Sequence, residues 1–182
     1  TYVADTRHHQ VRSISATGQV AIVAGTGQPG YADGPAASAQ FSAPSAVAYD
    51  AERQILYVSD SLNHSVRKID AAGNVSTLAG NGHPGDVDGI GPAAELKQPG
   101  GIALDAQGNI YLADTLNHKI KRVTPSGVVT TVAGTGRPSF TDGAAALAGF
   151  SDPRGIAVAP DGTLYISDSG NSVIRKLGGG LV

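Results

Sequence analysis

The sequence predicts an all-β fold, a partial β-propeller in which two full four-stranded blades are flanked by two incomplete ones, spanning residues 1–182 as one domain. The first observation is a repeat: YVADTRHHQVRSI at Tyr2 returns as YVSDSLNHSVRKI at Tyr57, YLADTLNHKIKRV at Tyr111 and YISDSGNSVIRKL at Tyr165. The second is a glycine-rich segment of the same period, beginning at Ala24, Ala79 and Ala133. The third is composition: 25 glycines and 10 prolines indicate many short elements joined by turns.

Each period reads as four short strands, which we name a to d outward from the propeller axis. In the third period they are GGIALD, IYLAD, KIKRV and VVTTVAG, separated by the turn sequences AQGN, TLNH and PSG. The chain starts at strand b of the first blade and ends after strand c of the fourth, followed by GGGLV, which predicts fourteen strands.

A connection of roughly twenty residues, here called the insert, leads from each strand d to the next strand a. A loop this long needs packing of its own. A large apolar residue recurs in it at Phe41, Leu96 and Phe150, and a proline begins the following strand at Pro44, Pro99 and Pro153. We expect each insert to be a compact loop with its apolar residue turned inward.

The stretches YVSDSLNHSVRKI, GGIALDAQGNIYLADTLNHKIKRV and RGIAVAPDGTLYISDSGNSVIRK resemble the NHL repeat, and the AGTGxPGxxDG inserts resemble those of bacterial NHL proteins. The resemblance covers essentially the whole chain and implies a β-propeller. Its functional implication is broad, because propellers of this family serve as protein-binding, RNA-binding and catalytic scaffolds. The amidating lyases, which resemble these propellers, hold zinc with histidines after the proline that begins strand a. The matching positions here are Ser45, Gly100 and Arg154, so that activity is not supported.

The segment GTGQPG, residues 25–30, matches the glycine fingerprint of dinucleotide-binding domains. The segment recurs in every insert and contains a proline each time. In the third copy Ser139 stands in place of the last glycine, and no copy is followed by an amphipathic helix, which a dinucleotide site requires. The segment is therefore interpreted as a structural turn.

Composition removes several classes of function. The net charge is −2, and 13 basic residues are mixed with 15 acidic ones, so we expect no membrane surface, and nucleic acid is an unfavoured partner. The absence of cysteine removes disulfides, thiolate metal sites and cysteine nucleophiles. Localisation stays open, and a secreted or periplasmic bacterial protein is compatible with the sequence.

An open fan of blades would expose apolar faces at both ends. We therefore expect self-association, as a homodimer or higher oligomer. The alternative is that the chain is a piece of a longer gene.

Propeller topology places the b–c turns and the inserts on one loop-rich face, which collects all five histidines. One hypothesis is a zinc site made by His8, His9, His64 and His118. The alternative is that Asn-His is simply the turn pair, with Asp60, Asp114 and Asp168 bonding the turn amides. In the second insert, GDVDG resembles part of a calcium loop, with Asp86 and Asp88 as ligands, but Pro84 falls at its first position.

The remaining candidates are ligand-binding residues. Arg154 begins an innermost strand and could meet an anion in the central channel, with a salt bridge as the alternative. Further candidates on the loop face and channel are Ser45, Asn63, Asn117 and Asn171. Paired basic residues in strand c, such as Arg67 and Lys68, are expected to send one side chain of each pair to solvent.

The leading function is a non-enzymatic scaffold that binds a protein or small ligand through its loop face or central channel, with no cofactor required. The alternative is a metal-assisted, promiscuous hydrolase or lyase of esterase, phosphoesterase or lactonase type. It would use a histidine-lined site at the propeller mouth and a divalent metal, Zn or Ca. No catalytic residue is assigned.

Overall fold

A computed structural model describes all residues 1–182 and contains four antiparallel sheets that follow one another as propeller blades. The first sheet, blade 1, has three strands: β1 (Tyr2–Asp5), β2 (Gln10–Ile14) and β3 (Val20–Ala24). The last, blade 4, also has three: β14 (Pro153–Val158), β15 (Leu164–Asp168) and β16 (Val173–Leu177).

The two central blades have all four predicted strands and one short addition each. Blade 2 contains β5 (Pro44–Asp50), β6 (Ile55–Asp60), β7 (Ser65–Ile69) and β8 (Asn74–Ala79), with β4 (Gly34–Pro35) from the insert on the outer edge of β8. Blade 3 contains β10 (Pro99–Leu104), β11 (Ile110–Asp114), β12 (Lys119–Val123) and β13 (Val128–Ala133), edged by β9 (Gly89–Ile90). The fourteen predicted strands are confirmed, and the inserts supply two more.

The C-terminal residues extend blade 4 beyond the predicted end at strand c. The amides and carbonyls of Val182 and Gly143 exchange hydrogen bonds of 2.9 and 3.1 Å. Gly34 pairs with Val75, and Gly89 with Val129, at the same place in blades 2 and 3. GGGLV is therefore a c–d turn followed by an isolated bridge at the place that strand d occupies in blades 2 and 3.

Packing between blades forms the core. One apolar cluster lies between each pair of successive blades, and the inserts plug them: Phe41, Leu96 and Phe150 are all fully buried, as predicted. Strands β5, β10 and β14 each begin at the predicted proline. No helix in the protein is long and apolar enough to cross a membrane.

The two end blades each present one uncovered face. The leading face, on blade 1, consists of Val3, Ile14 and Val20. Val20 is 57% exposed, whereas Val75 and Val129 at the same repeat position are 2% and 1% exposed. The trailing face, on blade 4, consists of Tyr165 and Ile174. Ile174 is 70% exposed, whereas its equivalents in blades 1 to 3 are fully buried (Val11, Val66 and Ile120).

Candidate functional site

The b–c turn of every blade is a single 3-10 turn that ends in a left-handed residue. The turns are Thr6–His8, Ser61–Asn63, Thr115–Asn117 and Ser169–Asn171. The residues that follow them have φ between 52° and 57° (His9, His64, His118 and Ser172). Histidine is one of the few non-glycine residues enriched in this region, so a short polar turn ending in histidine fits the local geometry.

The three histidines among these residues hold the start of the next blade. The imidazole Nδ1 of His9, His64 and His118 accepts the backbone N–H of Ala43, Gln98 and Asp152, at 3.0, 3.1 and 3.0 Å. Each amide belongs to the residue before the proline that begins the inner strand. We call these three hydrogen bonds the junction latches. An Nδ1 that accepts a hydrogen bond must be unprotonated.

In blades 2 to 4 the aspartate at the end of strand b bonds both the insert and its own turn: one oxygen accepts a backbone amide of the insert, and the other accepts the side-chain amide of the turn asparagine, as the prediction of bonds to turn amides required. Oδ1 of Asp60, Asp114 and Asp168 accepts the backbone N–H of Ser42, Lys97 and Ser151, each at 2.7 Å. The strand b aspartates therefore tie each insert to the blade that follows it.

The asparagine of the same turn completes this network. Asn63 Nδ2 donates to Gly30 O at 2.7 Å and to Asp60 Oδ2 at 2.8 Å. Asn117 and Asn171 repeat both bonds with the second and third inserts. The structure thus places these three ligand candidates in bonds that tie turn to insert, with both amide hydrogens used.

A basic residue of strand c is buried against each insert, although sequence alternation alone predicted only that one of each pair is exposed. Arg67 has no exposed side-chain surface and pairs with Asp60 at 2.7 Å and Asp33 at 2.6 Å. Its guanidinium lies over the rings of Tyr31 and Phe41, at 4.9 and 5.4 Å from their centres. Arg175 makes the equivalent contacts in blade 4 (with Asp168, Asp142, Phe140 and Phe150).

Blade 3 replaces this arrangement with a lysine and an added carboxylate. Lys121 Nζ bonds Asp86 Oδ1 at 2.9 Å and Asp88 Oδ1 at 2.8 Å, and is almost fully buried. Asp86 stands where the other inserts have Tyr31 and Phe140. The two carboxylates predicted as calcium ligands do converge, and the lysine ammonium occupies the position of the cation between them.

The shorter lysine leaves Asp114 without a direct ion pair. Its carboxylate accepts only the Lys97 amide and Asn117 Nδ2, and is fully buried. Burial raises the pKa of Asp114 to about 6, opposed mainly by the hydrogen bonds from Lys97 and Asn117.

The remaining candidates meet in one pocket at the start of the inner strands, here called the axial pocket. Its volume is about 290 Å3, and Ser45 and Arg154 both line it, together with Ser61, Gln98, Gly100 and Thr115 among others. Ser45 Oγ donates to Pro99 O at 3.0 Å, and Thr115 Oγ1 donates to Pro153 O at 2.8 Å. Arg154 is exposed, and its guanidinium makes no ion pair or hydrogen bond within the protein.

The histidines proposed as zinc ligands do not come together. His9, His64 and His118 serve successive junctions, and His8 bonds Asp5 Oδ1 at 2.7 Å on blade 1. No group of three or more histidine, aspartate or glutamate side chains is placed to hold a metal ion. No metal is assigned to this protein.

The fold and these sites define a class: a β-propeller whose blades are locked together by repeated inserts. Comparison with known families agrees, since the family described as SMP-30/Gluconolactonase/LRE-like region matches residues 28–144, and the NHL repeat matches residues 150–177. The chain belongs to the NHL-repeat β-propellers and carries the SMP-30/gluconolactonase-like region.

Curated relatives share this repeat within much longer proteins. The chain is 33% identical over 188 residues to the Arabidopsis thaliana protein SUPPRESSOR OF QUENCHING 1, covering 97% of this chain and 18% of that protein. It is 30% identical over 202 residues to human NHL repeat-containing protein 2, covering 96% of this chain and 28% of that one. The chain therefore spans less than a third of the length of either relative.

Solved structures show the same fold. A Bacteroides thetaiotaomicron structure described as an auxiliary nutrient binding protein superposes with a TM-score of 0.77 at 22% identity, covering 97% of this chain and 44% of that one. A streptogramin B lyase superposes with a TM-score of 0.66 at 11% identity, and the match covers 98% of this chain and 47% of the lyase chain. At these identities the likeness establishes the fold alone.

Proposed function

We propose that this chain is a binding module that takes a small anionic ligand in the axial pocket, with Arg154 as the group that recognises the charge. The observation that carries the proposal is the unpaired guanidinium of Arg154 at a pocket whose lining contains no carboxylate. The buried cations Arg67, Lys121 and Arg175, by contrast, are all neutralised by aspartates. An arginine without an internal partner keeps its planar set of donors for a ligand.

One other polar group of the pocket fits the same ligand. Gln98 lines the wall with a side-chain amide that makes no hydrogen bond within the protein, whereas the Ser45 hydroxyl is already bonded to Pro99 O and to Ser61. A volume of about 290 Å3 suits a small molecule rather than a polymer. A small carboxylate, gripped through both oxygens by the guanidinium, matches this geometry best. The fold shared with the Bacteroides auxiliary nutrient binding protein is compatible with a binding role.

Calorimetry and amide-shift mapping with acetate, benzoate, citrate and inorganic phosphate test the proposal. We expect at least one probe to bind at Gly100 and Gly101, and Arg154→Ala to weaken that binding by about tenfold or more, the scale of a lost charge-assisted hydrogen bond. The matched control is Arg137→Ala, which removes another exposed arginine outside this pocket. Equal binding by wild type and Arg154→Ala would overturn the proposal.

The same preparations should be screened against an ester, a lactone and a phosphoester, because the family match includes gluconolactonase-like proteins. Turnover that disappears in Arg154→Ala would replace the binding role with a hydrolytic one at the same pocket. Turnover that survives Arg154→Ala places chemistry elsewhere and contradicts a purely binding role.

We also propose that the chain associates with itself, the leading face of one copy packing on the trailing face of the next. Inside the molecule, faces of the same composition are buried against each other at every junction, for example Val75 of blade 2 in the cluster with Val11 of blade 1. Covering exposed valine and isoleucine side chains stabilises association by roughly 1.5–3 kcal/mol per fully buried side chain.

Sedimentation at several protein concentrations tests this association. We expect a concentration-dependent dimer or larger species, weakened by Val20→Glu and by Ile174→Lys. Val87→Glu and Leu62→Lys are matched controls, because both residues are exposed outside the two faces. A monomer at all concentrations, or equal effects from controls and face variants, would contradict self-association.

A further inference from the structure

We propose that His64 is an acid-opened latch between blades 2 and 3, acting on the wall of the axial pocket. This latch is a hydrogen bond of 3.1 Å, donated by the backbone N–H of Gln98 to Nδ1 of His64. It joins the b–c turn of blade 2 to the residue that precedes Pro99, where the inner strand of blade 3 begins.

The latch joins two residues in the left-handed backbone region, and one of them, Gln98, is of a residue type that is not enriched there. His64 has φ 52° and Gln98 has φ 50°, both in the left-handed region. Such residues cost free energy and persist only where the surroundings hold them. The latch is one of the contacts that hold Gln98 in this conformation, so breaking the bond favours movement of the Gln98 segment.

Protonation of His64 breaks the bond, because an imidazolium has no acceptor nitrogen and would set Nδ1–H against the Gln98 N–H. Burial lowers the pKa of His64, helped by the nearby charges of His83 and Lys97. A lowered histidine pKa means that the closed form binds its proton less tightly than the open form. The latch is intact above about pH 6.5, the ordinary histidine value, and is lost as the pH falls through the lower value of the closed form.

The equivalent latch of blade 3 has a partner for the protonated ring. Asp152 Oδ1 lies 3.5 Å from His118 Nδ1, while the Asp152 amide donates to the same nitrogen at 3.0 Å. A protonated His118 can therefore exchange the amide contact for an ion pair with the same residue. Gln98 offers no such carboxylate to His64.

The neighbouring Asp114 acts in the opposite direction and on a different amide. Asp114 holds the Lys97 N–H at 2.7 Å, and its surroundings include Lys121 and Asp86. Because its pKa is raised, proton uptake by Asp114 favours the closed form, and a protonated carboxyl keeps a carbonyl oxygen for the Lys97 amide. We therefore expect acid to release the Gln98 amide and leave the Lys97 amide bonded.

Opening of the latch changes the axial pocket, because Gln98 is part of its lining. An effect of pH on ligand affinity rests on the proposed function. The latch itself does not, and its test needs no ligand.

The experiment is amide hydrogen exchange from pH 8 to pH 5, expressed as protection factors, on the full chain. In the wild type we expect protection at Gln98 to fall by about tenfold, the scale of one lost hydrogen bond. The amides of Lys97, one residue before Gln98, and Asp152, at the next junction, serve as internal controls. The protection factor of each should change by less than about threefold.

A reciprocal exchange of residues separates the latch from a general loss of stability. Gln98→Asp should make the His64 latch acid-tolerant, and Asp152→Asn should make the His118 latch acid-sensitive, since aspartate and asparagine both tolerate the left-handed region. His64→Asn keeps an acceptor at the δ position and should abolish the response at Gln98. Equal acid sensitivity at Gln98 and Asp152 in the wild type, or an unchanged Gln98 at pH 5, would overturn the proposal.

Discussion

Gly149 lies directly against Ser139 in the third insert, so closely that a Cβ atom at residue 149 would overlap Ser139 Oγ. In the first two inserts the positions are reversed: Gly30 faces Gln40, and Gly85 faces Glu95. The break in the glycine pattern at Ser139 is thus compensated across the insert. One glycine is needed at this crossing, and either side can supply it.

Gly149→Ala should therefore destabilise the protein by about 1–3 kcal/mol, the usual cost of overpacking. Ser139→Gly in the same chain should remove most of that cost, because the overlapping hydroxymethyl group is gone. Urea unfolding of the two single variants and the double variant gives the coupling energy. Additive effects would contradict the compensation.

Arg67→Met should destabilise the protein by about 3–5 kcal/mol, because it leaves the fully buried Asp60 carboxylate without its cation. Lys68→Met is the matched control on the same strand, with a half-buried side chain that makes no ion pair, and should change stability by less than about 0.5 kcal/mol. Both are measured by urea unfolding at pH 7. Equal losses would show that Arg67 acts through packing volume rather than through charge.

Asn171→Ala should lower stability by about 1–3 kcal/mol, since Ser139 O and Asp168 Oδ2 both lose a donor. It should leave anion binding at the axial pocket unchanged, because the asparagine amide is used within the fold. Calorimetry with the probe that binds wild type checks the second point. Loss of anion binding with unchanged stability would show that Asn171 contacts the ligand and would contradict its structural role.

Asp114 makes stability depend on pH with a defined sign. Its pKa in the folded protein, about 6, lies above the ordinary value of 3.8, so the folded state holds the proton more tightly than the unfolded chain. Its contribution is fully present below pH 3.8 and is lost as the pH rises through 6. The stability of wild type relative to Asp114→Asn should therefore fall by about 2 kcal/mol between pH 4 and pH 8.

The control for this titration is Asp161→Asn, which should show the opposite sign. The backbone hydrogen bond from Thr163 lowers the pKa of the exposed Asp161, so its contribution is lost as the pH falls. Urea unfolding at intervals of pH measures both series. A flat difference for Asp114→Asn would mean that its carboxylate is solvated in the folded protein.

Much of the fold followed from the repeat. The prolines that begin β5, β10 and β14 and the plugs Phe41, Leu96 and Phe150 were predicted, because they recur in register with the strands. The end of the chain was not predicted: GGGLV carries no strand pattern of its own, and only its hydrogen bonds with Gly143 place it along the edge of blade 4.

The candidate site was less predictable, because the same residue types serve both turns and ligands. Asn63 and His64 form a polar pair on a loop in the sequence, but Asn63 bonds the first insert and His64 bonds the end of the second, each more than thirty residues away. The exchange of Tyr31 and Arg67 for Asp86 and Lys121 is visible once the repeats are aligned. Without the fold, nothing indicates that these positions touch.

The sequence by itself determined the blades, their order and the turn at which each histidine stands, because hydrophobic alternation and turn chemistry are local and recur in every repeat. Only the tertiary structure decided which polar groups are already satisfied and which are free. Hydrogen bonds and ion pairs form between segments distant along the chain, so Asn117 and Lys121 are committed inside the fold. The guanidinium of Arg154 stays without an internal partner because no carboxylate reaches it.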